Sequence, residues 1–124
     1  MTALFVMLGA MVGAPLRYWT DRLISARHDS VVPWGTLTVN LSGSFLLGFL
    51  TVGVTHDAVS SETMSALGVG LCGGLTTYST FSHETIRLIQ GGARLYAVIN
   101  IGANVGGALL AAASGALVAL ATWN

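Results

Sequence analysis

Four long stretches of this chain contain no charged residue, and nothing constrains its fold more. They run from Met1 to Leu16, Val31 to Thr55, Thr63 to Ser82 and Leu95 to Asn124. About 20 helical residues at ~1.5 Å each cross a hydrocarbon core of ~30 Å. Each stretch can therefore supply a transmembrane helix, the first with help from its amphipathic tail to Ile24. Short polar links separate them: 25–29, 56–62 and 90–94. Only 8% of residues are charged, against about 25% in soluble domains. The predicted fold class is all-α and integral to the membrane, with residues 1–124 forming one four-helix transmembrane domain. Pro33 suits a helix start, and Pro15 is expected to kink the first helix. No basic residue precedes the first apolar run, so that run reads as a span rather than a cleaved leader. Cys72 is the only cysteine, which excludes an internal disulfide. Its surroundings make it a buried small hydrophobe.

The arginines set an orientation. All five, Arg17, Arg22, Arg27, Arg87 and Arg94, fall at or beside the first and third links. The termini and the second link have none. The positive-inside rule then places both termini outside. Small residues also recur four apart in every span: Gly9 and Gly13, Ser44 and Gly48, Gly70 and Gly74, Gly102 and Gly106. Such pairs let helix backbones approach closely in lipid. Glycine is common in membrane helices anyway, but its presence in all four spans favours dense packing, within the chain and against a partner.

The stretch GGLTTYSTFSHE, 73–84, places many polar side chains where a third span belongs. A broken helix would free backbone groups that lipid cannot satisfy, so a break must face protein, water or an ion. Gly73 and Gly74 permit a turn, and such breaks can hold a cation on freed carbonyls. A serine- and threonine-rich kink that merely bends the helix is an equal reading. Thr36, Asn40 and Ser44 share one face of the second span, and Asn100 and Asn104 share a face of the fourth. A lone asparagine is most simply interhelical glue. Two such stripes beside a polar third span favour a permeation path. Tyr78 and Phe81 have electropositive ring edges that can face an anion, although packing is the ordinary role of such rings. Arg17 is either a snorkelling anchor or a vestibule charge. Local ion pairs, Arg17 with Asp21 and Glu84 with Arg87, account for those charges adequately.

Together these pieces resemble the Fluc (CrcB) family of fluoride channels. The resemblance rests on GAMVGAPLRY, GTLTVNLSGSFLLG and, most specifically, GLCGGLTTYSTFSHE, in that order along nearly the whole chain. It implies an antiparallel dimer with two pores, passive fluoride export across the cell inner (plasma) membrane, and a central structural sodium ion (Na+). By motif position the sodium would sit on the carbonyls of Gly73 and Thr76. The fluoride path would involve Asn40, Tyr78, Ser79, Thr80, Phe81, Glu84, Asn100 and Asn104, with Arg17 in the vestibule. Two positions depart from the family pattern: Tyr78 stands where phenylalanine is usual, and Ala108 where serine often occurs.

The chemistry suits that ion. Fluoride is strongly hydrated, so a pore must replace its water with donors yet release it. Asn40, Asn104 and Thr80 can donate, and the chain has no lysine to trap the ion. The one-sided arginines predict a subunit that inserts one way and pairs with an oppositely oriented paralogue, with a dual-topology homodimer as the alternative. A small multidrug-type exporter would need a membrane carboxylate in the first span, which has none before Asp21. An enzyme built on Ser79, His83 or Cys72 lacks a carboxylate placed to orient the histidine. A non-conducting structural subunit is the remaining alternative.

Overall fold

A computed structural model describes residues 2–27, 34–76 and 79–123. Every extended element among them is helical. In chain order these are α1 (Thr2–Arg27), α2 (Trp34–Thr55), α3 (Ser61–Thr63), a π-helical stretch (Met64–Cys72), α4 (Gly73–Leu75), α5 (Ser79–Gln90) and α6 (Arg94–Trp123). Three of them, over Thr2–Ile24, Trp34–Thr55 and Arg94–Trp123, are long and apolar enough to cross a membrane. The chain is a multi-pass membrane protein. α1 continues as helix through Pro15. Pro33 lies outside the described residues.

The elements pack as two pairs. α2 runs along α6, and α1 runs along the π-helical stretch and α4. α2 joins the pairs, and α5 rests mainly on α6. Glycine makes these approaches possible. A Cβ at Gly9 would collide with the Ala66 carbonyl oxygen, and one at Gly13 with that of Leu71. Across the seam, Gly70 meets the Val6 carbonyl and Gly74 meets Ala10. In the other pair, Gly48 lies on Ala112 and Gly115 on the Phe45 carbonyl. At one end of that pair the Phe49 and Trp123 rings pack with centroids 4.8 Å apart. Gly102 and Gly106, by contrast, have no atom of the described residues within 4 Å of where a Cβ would stand. Two of the four small-residue pairs, and Gly48 of a third, thus serve packing within the chain, while the fourth meets none of the described residues.

Turn chemistry closes the links. After α5, the Ala93 N–H donates to the Leu88 carbonyl at 2.8 Å and the Gly92 N–H to that of Ile89 at 3.1 Å. This six-to-one pattern ends a helix when the residue after its cap is left-handed. Gly92 has φ +81 there, which glycine tolerates best. Asp57 plays the same part after α2, with φ 56 and an Ala58 N–H to Gly53 carbonyl bond of 2.9 Å. Ser60 then caps the next helix, its hydroxyl accepting from the Thr63 N–H at 3.1 Å.

The glycines of the third segment do different work from that read in the sequence. Gly73 and Gly74 are helical. The helix runs on to Leu75, and Thr76 is the first extended residue, with φ −80 and ψ 157. Close packing against α1 uses Gly74, and the backbone leaves the helix two residues later.

Candidate functional site

Polar side chains are buried among the apolar ones inside this protein. Its most deeply buried large side chains are Val39, Asn100 and Thr36. Thr85 and Asn104 are also buried. Asn100, Asn104 and Thr85, with Asn40, join α2, α5 and α6 into one hydrogen-bonded seam. Lipid offers such groups no partner, so each must find one in the protein.

The seam can be followed atom by atom. The Asn40 Nδ2 donates to Asn104 Oδ1 at 2.9 Å. Asn104 Nδ2 donates to the Asn100 backbone carbonyl and to Asn100 Oδ1, each at 2.9 Å. Asn100 Nδ2 donates to Thr85 Oγ1 at 2.9 Å. The Thr85 hydroxyl donates in turn to the Phe81 carbonyl at 2.8 Å. Helical spacing explains the arrangement. Asn100 and Asn104 lie one turn apart on α6, and Phe81 and Thr85 lie one turn apart on α5.

A second polar contact lies at the start of α2. The Thr36 hydroxyl donates to Glu84 Oε1. The Asp21 carboxylate lies against Gly35, where a Cβ would collide with it. Two carboxylates therefore approach the N-terminal turn of α2, the electropositive end of that helix.

Beside the seam lies an open groove of about 720 Å³ between α2, the third segment and α6. Its polar wall includes Asn40, Ser44, Thr76 and Asn104. Gly73, Phe81 and Ala108 also line it, among apolar side chains. Gly73 is exposed on this side, and no atom of the described residues lies within 4 Å of where a Cβ would stand. Thr76 is anchored from above, its N–H and hydroxyl both donating to the Cys72 carbonyl at 2.8 Å.

The structure therefore brings Asn40, Phe81, Asn104, Gly73 and Thr76 around one groove. Asn100 stands behind them in the seam, and Glu84 beside the start of α2. Thr80 is half-buried on α5. Arg17 is half-buried on α1 and does not line the groove. Tyr78 and the side chain of Ser79 lie outside the described residues. Thr85 was not singled out by sequence reasoning. Its one available signal was a hydroxyl four residues after Phe81, on the same helical face.

Fold and site define a helical membrane protein with a polar seam opening onto a groove. Residues 4–116 match the family described as CrcB-like protein, Camphor Resistance (CrcB). The chain belongs to this family, which is one of ion channels and not of enzymes. It is 51% identical over 123 residues to Fluoride-specific ion channel FluC 1 of Streptomyces avermitilis, covering 99% of both chains. It is 50% identical to the protein of the same name from Frankia casuarinae, covering 100% of both. A Fluoride-specific ion channel FluC from Shewanella woodyi is 47% identical over 82% of each chain.

Proposed function

We propose that this protein is a fluoride-selective channel that lets the ion leave the cytoplasm down its gradient. The observation that carries this reading is the amide seam opening onto the groove at Asn40 and Asn104, beside Phe81. Near-full-length relatives that carry the name of a fluoride channel supply the ion. Amide donors and a ring edge can replace part of the water shell of a small anion. Asn40, Phe81, Thr80, Ser79 and Tyr78 form the path in this reading, and Asn104 lines it beside Asn40. Asn100 and Glu84 support it from behind, and Arg17 attracts the anion at its entrance.

The pore is completed by a second subunit in antiparallel orientation. The groove is open along one side, and the outward Gly102 and Gly106 offer a face of α6 that close packing would suit. The third segment is interrupted in this reading: its helix ends at Leu75, Thr76 is extended, and α5 begins at Ser79. A central sodium ion is consistent with the donors here. A hard cation takes oxygen ligands, and the carbonyl of Thr76 departs from the helical direction while Gly73 is open to the groove. Gly73 and Thr76 would hold the ion from both subunits. Its positive charge would offset part of the cost of stripping water from the anion.

The one-sided arginines favour a single orientation in the inner membrane, both termini outside, with an oppositely oriented paralogue as partner. A homodimer inserted both ways is the second reading, since the groove itself does not distinguish the two.

Purified protein in liposomes loaded with fluoride, alone and with its paralogue, tests the function with an ion electrode. Fluoride should be released while chloride is retained. Absence of fluoride release from both preparations would refute the proposal.

A further inference from the structure

We propose that Thr85, Asn100 and Asn104 are positioning residues that fix which end of the Asn40 amide faces α6, and that Asn104 is not itself a ligand of the ion. The inference rests on the fluoride-channel reading above.

A carboxamide has a donor end and an acceptor end that are nearly the same shape, so its direction must be set by its partners. The partners here allow one direction only. The Thr85 hydroxyl hydrogen is committed to the Phe81 carbonyl at 2.8 Å. Its oxygen can then only accept from Asn100, which must present Nδ2. That leaves Asn100 Oδ1 facing Asn104. The Asn100 backbone carbonyl faces the same nitrogen, and a carbonyl can only accept. Asn104 is therefore held with its nitrogen on two acceptors of Asn100 and its oxygen toward Asn40. Asn40 must answer with Nδ2, at 2.9 Å.

The consequence is an amide whose donor end lies on the α6 side of a groove that Asn40 and Asn104 both line. The Asn104 nitrogen is engaged inside the seam and turns its acceptor oxygen to Asn40. An acceptor oxygen repels an anion. Asn104 thus acts through Asn40, and Thr85 acts through Asn100 and Asn104. The middle of this hydrogen-bonded series is buried, with Asn100 at 1%, Asn104 at 5% and Thr85 at 7% exposure, while Asn40 is half-buried at its groove end. Water cannot readily substitute for a missing member, so polarity set at one end is kept at the other.

Fluoride loses more hydration than chloride in such a pore, so a misdirected donor harms fluoride more. The fluoride-to-chloride permeability ratio reads this directly. A fold defect would lower the number of working channels and leave the ratio unchanged. Thr85→Val keeps the shape and removes the hydroxyl. It should lower the ratio tenfold or more, and Thr85→Ser should keep it within about twofold of the parent. In an Asn40→Ser background, Thr85→Val should lower the ratio no further. If Thr85→Val fails to accumulate in membranes, Asn104→Leu removes the acceptor that holds Asn40, and the same fall is expected. An unchanged ratio in the folded variant would overturn the proposal. So would an equal fold-drop in the Asn40→Ser background, which would make Thr85 independent of Asn40. A parent protein that passes no fluoride would instead refute the channel reading, and this inference with it.

Discussion

Thr36 shows what a single hydroxyl does in a membrane protein. It is buried to 2% exposure and donates to the Glu84 carboxylate. Removing it leaves the Glu84 acceptor oxygen facing an apolar group. The penalty for such a loss is about 1–3 kcal/mol, and more where charge is involved. Thr36→Val should therefore lower the midpoint of thermal unfolding in detergent, whereas Thr36→Ser should leave it near the parent. Equal midpoints for Val and Ser would show that the bond contributes nothing. Much at this scale was legible in the sequence. Asn40, Asn100 and Asn104 stood out because amides are costly in apolar helices, and their four-residue spacing put them on shared faces. Thr85 did not stand out. A threonine on a polar helix is ordinary until α5 meets α6 and its oxygen meets Asn100.

At the level of elements, glycine decides which helices touch. α1 meets the third segment through Gly9 and Gly13 on one side and Gly70 and Gly74 on the other. Gly9→Val would drive side-chain carbons into the Ala66 carbonyl, and overpacking of that kind costs about 1–3 kcal/mol or more. A large loss of folded protein on size-exclusion chromatography is expected. A Cβ at Gly102 would meet none of the described residues. Gly102→Val should leave the subunit folded yet weaken its association with a second subunit, which cross-linking in membranes would measure. A variant that associates as the parent does would remove α6 from the proposed subunit contact. The small-residue spacing made these contacts predictable in kind. It did not say which pair would face outward, because that depends on which helices become neighbours. The π-helical course of Met64–Cys72 and the helix end at Thr76 were likewise hidden. Gly73 and Gly74 invited a turn two residues before the helix ends.

For the whole molecule, charge is the organising quantity. The arginines gather toward one end, and the link between α2 and α3 carries Asp57 with no arginine. Ala58 and Gln90 are exposed at opposite links, and Cys72 is buried. In intact cells, Ala58→Cys should react with a membrane-impermeant maleimide and Gln90→Cys should not. Equal labelling of both would defeat the single orientation and favour a homodimer inserted both ways. The central claim is that the groove beside Asn40 conducts fluoride selectively. A planar bilayer with fluoride on one side and chloride on the other tests it most directly. The account predicts a current whose reversal potential follows the fluoride gradient and which falls sharply in Asn40→Ala. A reversal potential that tracks chloride, or a fluoride current untouched by Asn40→Ala, would contradict it.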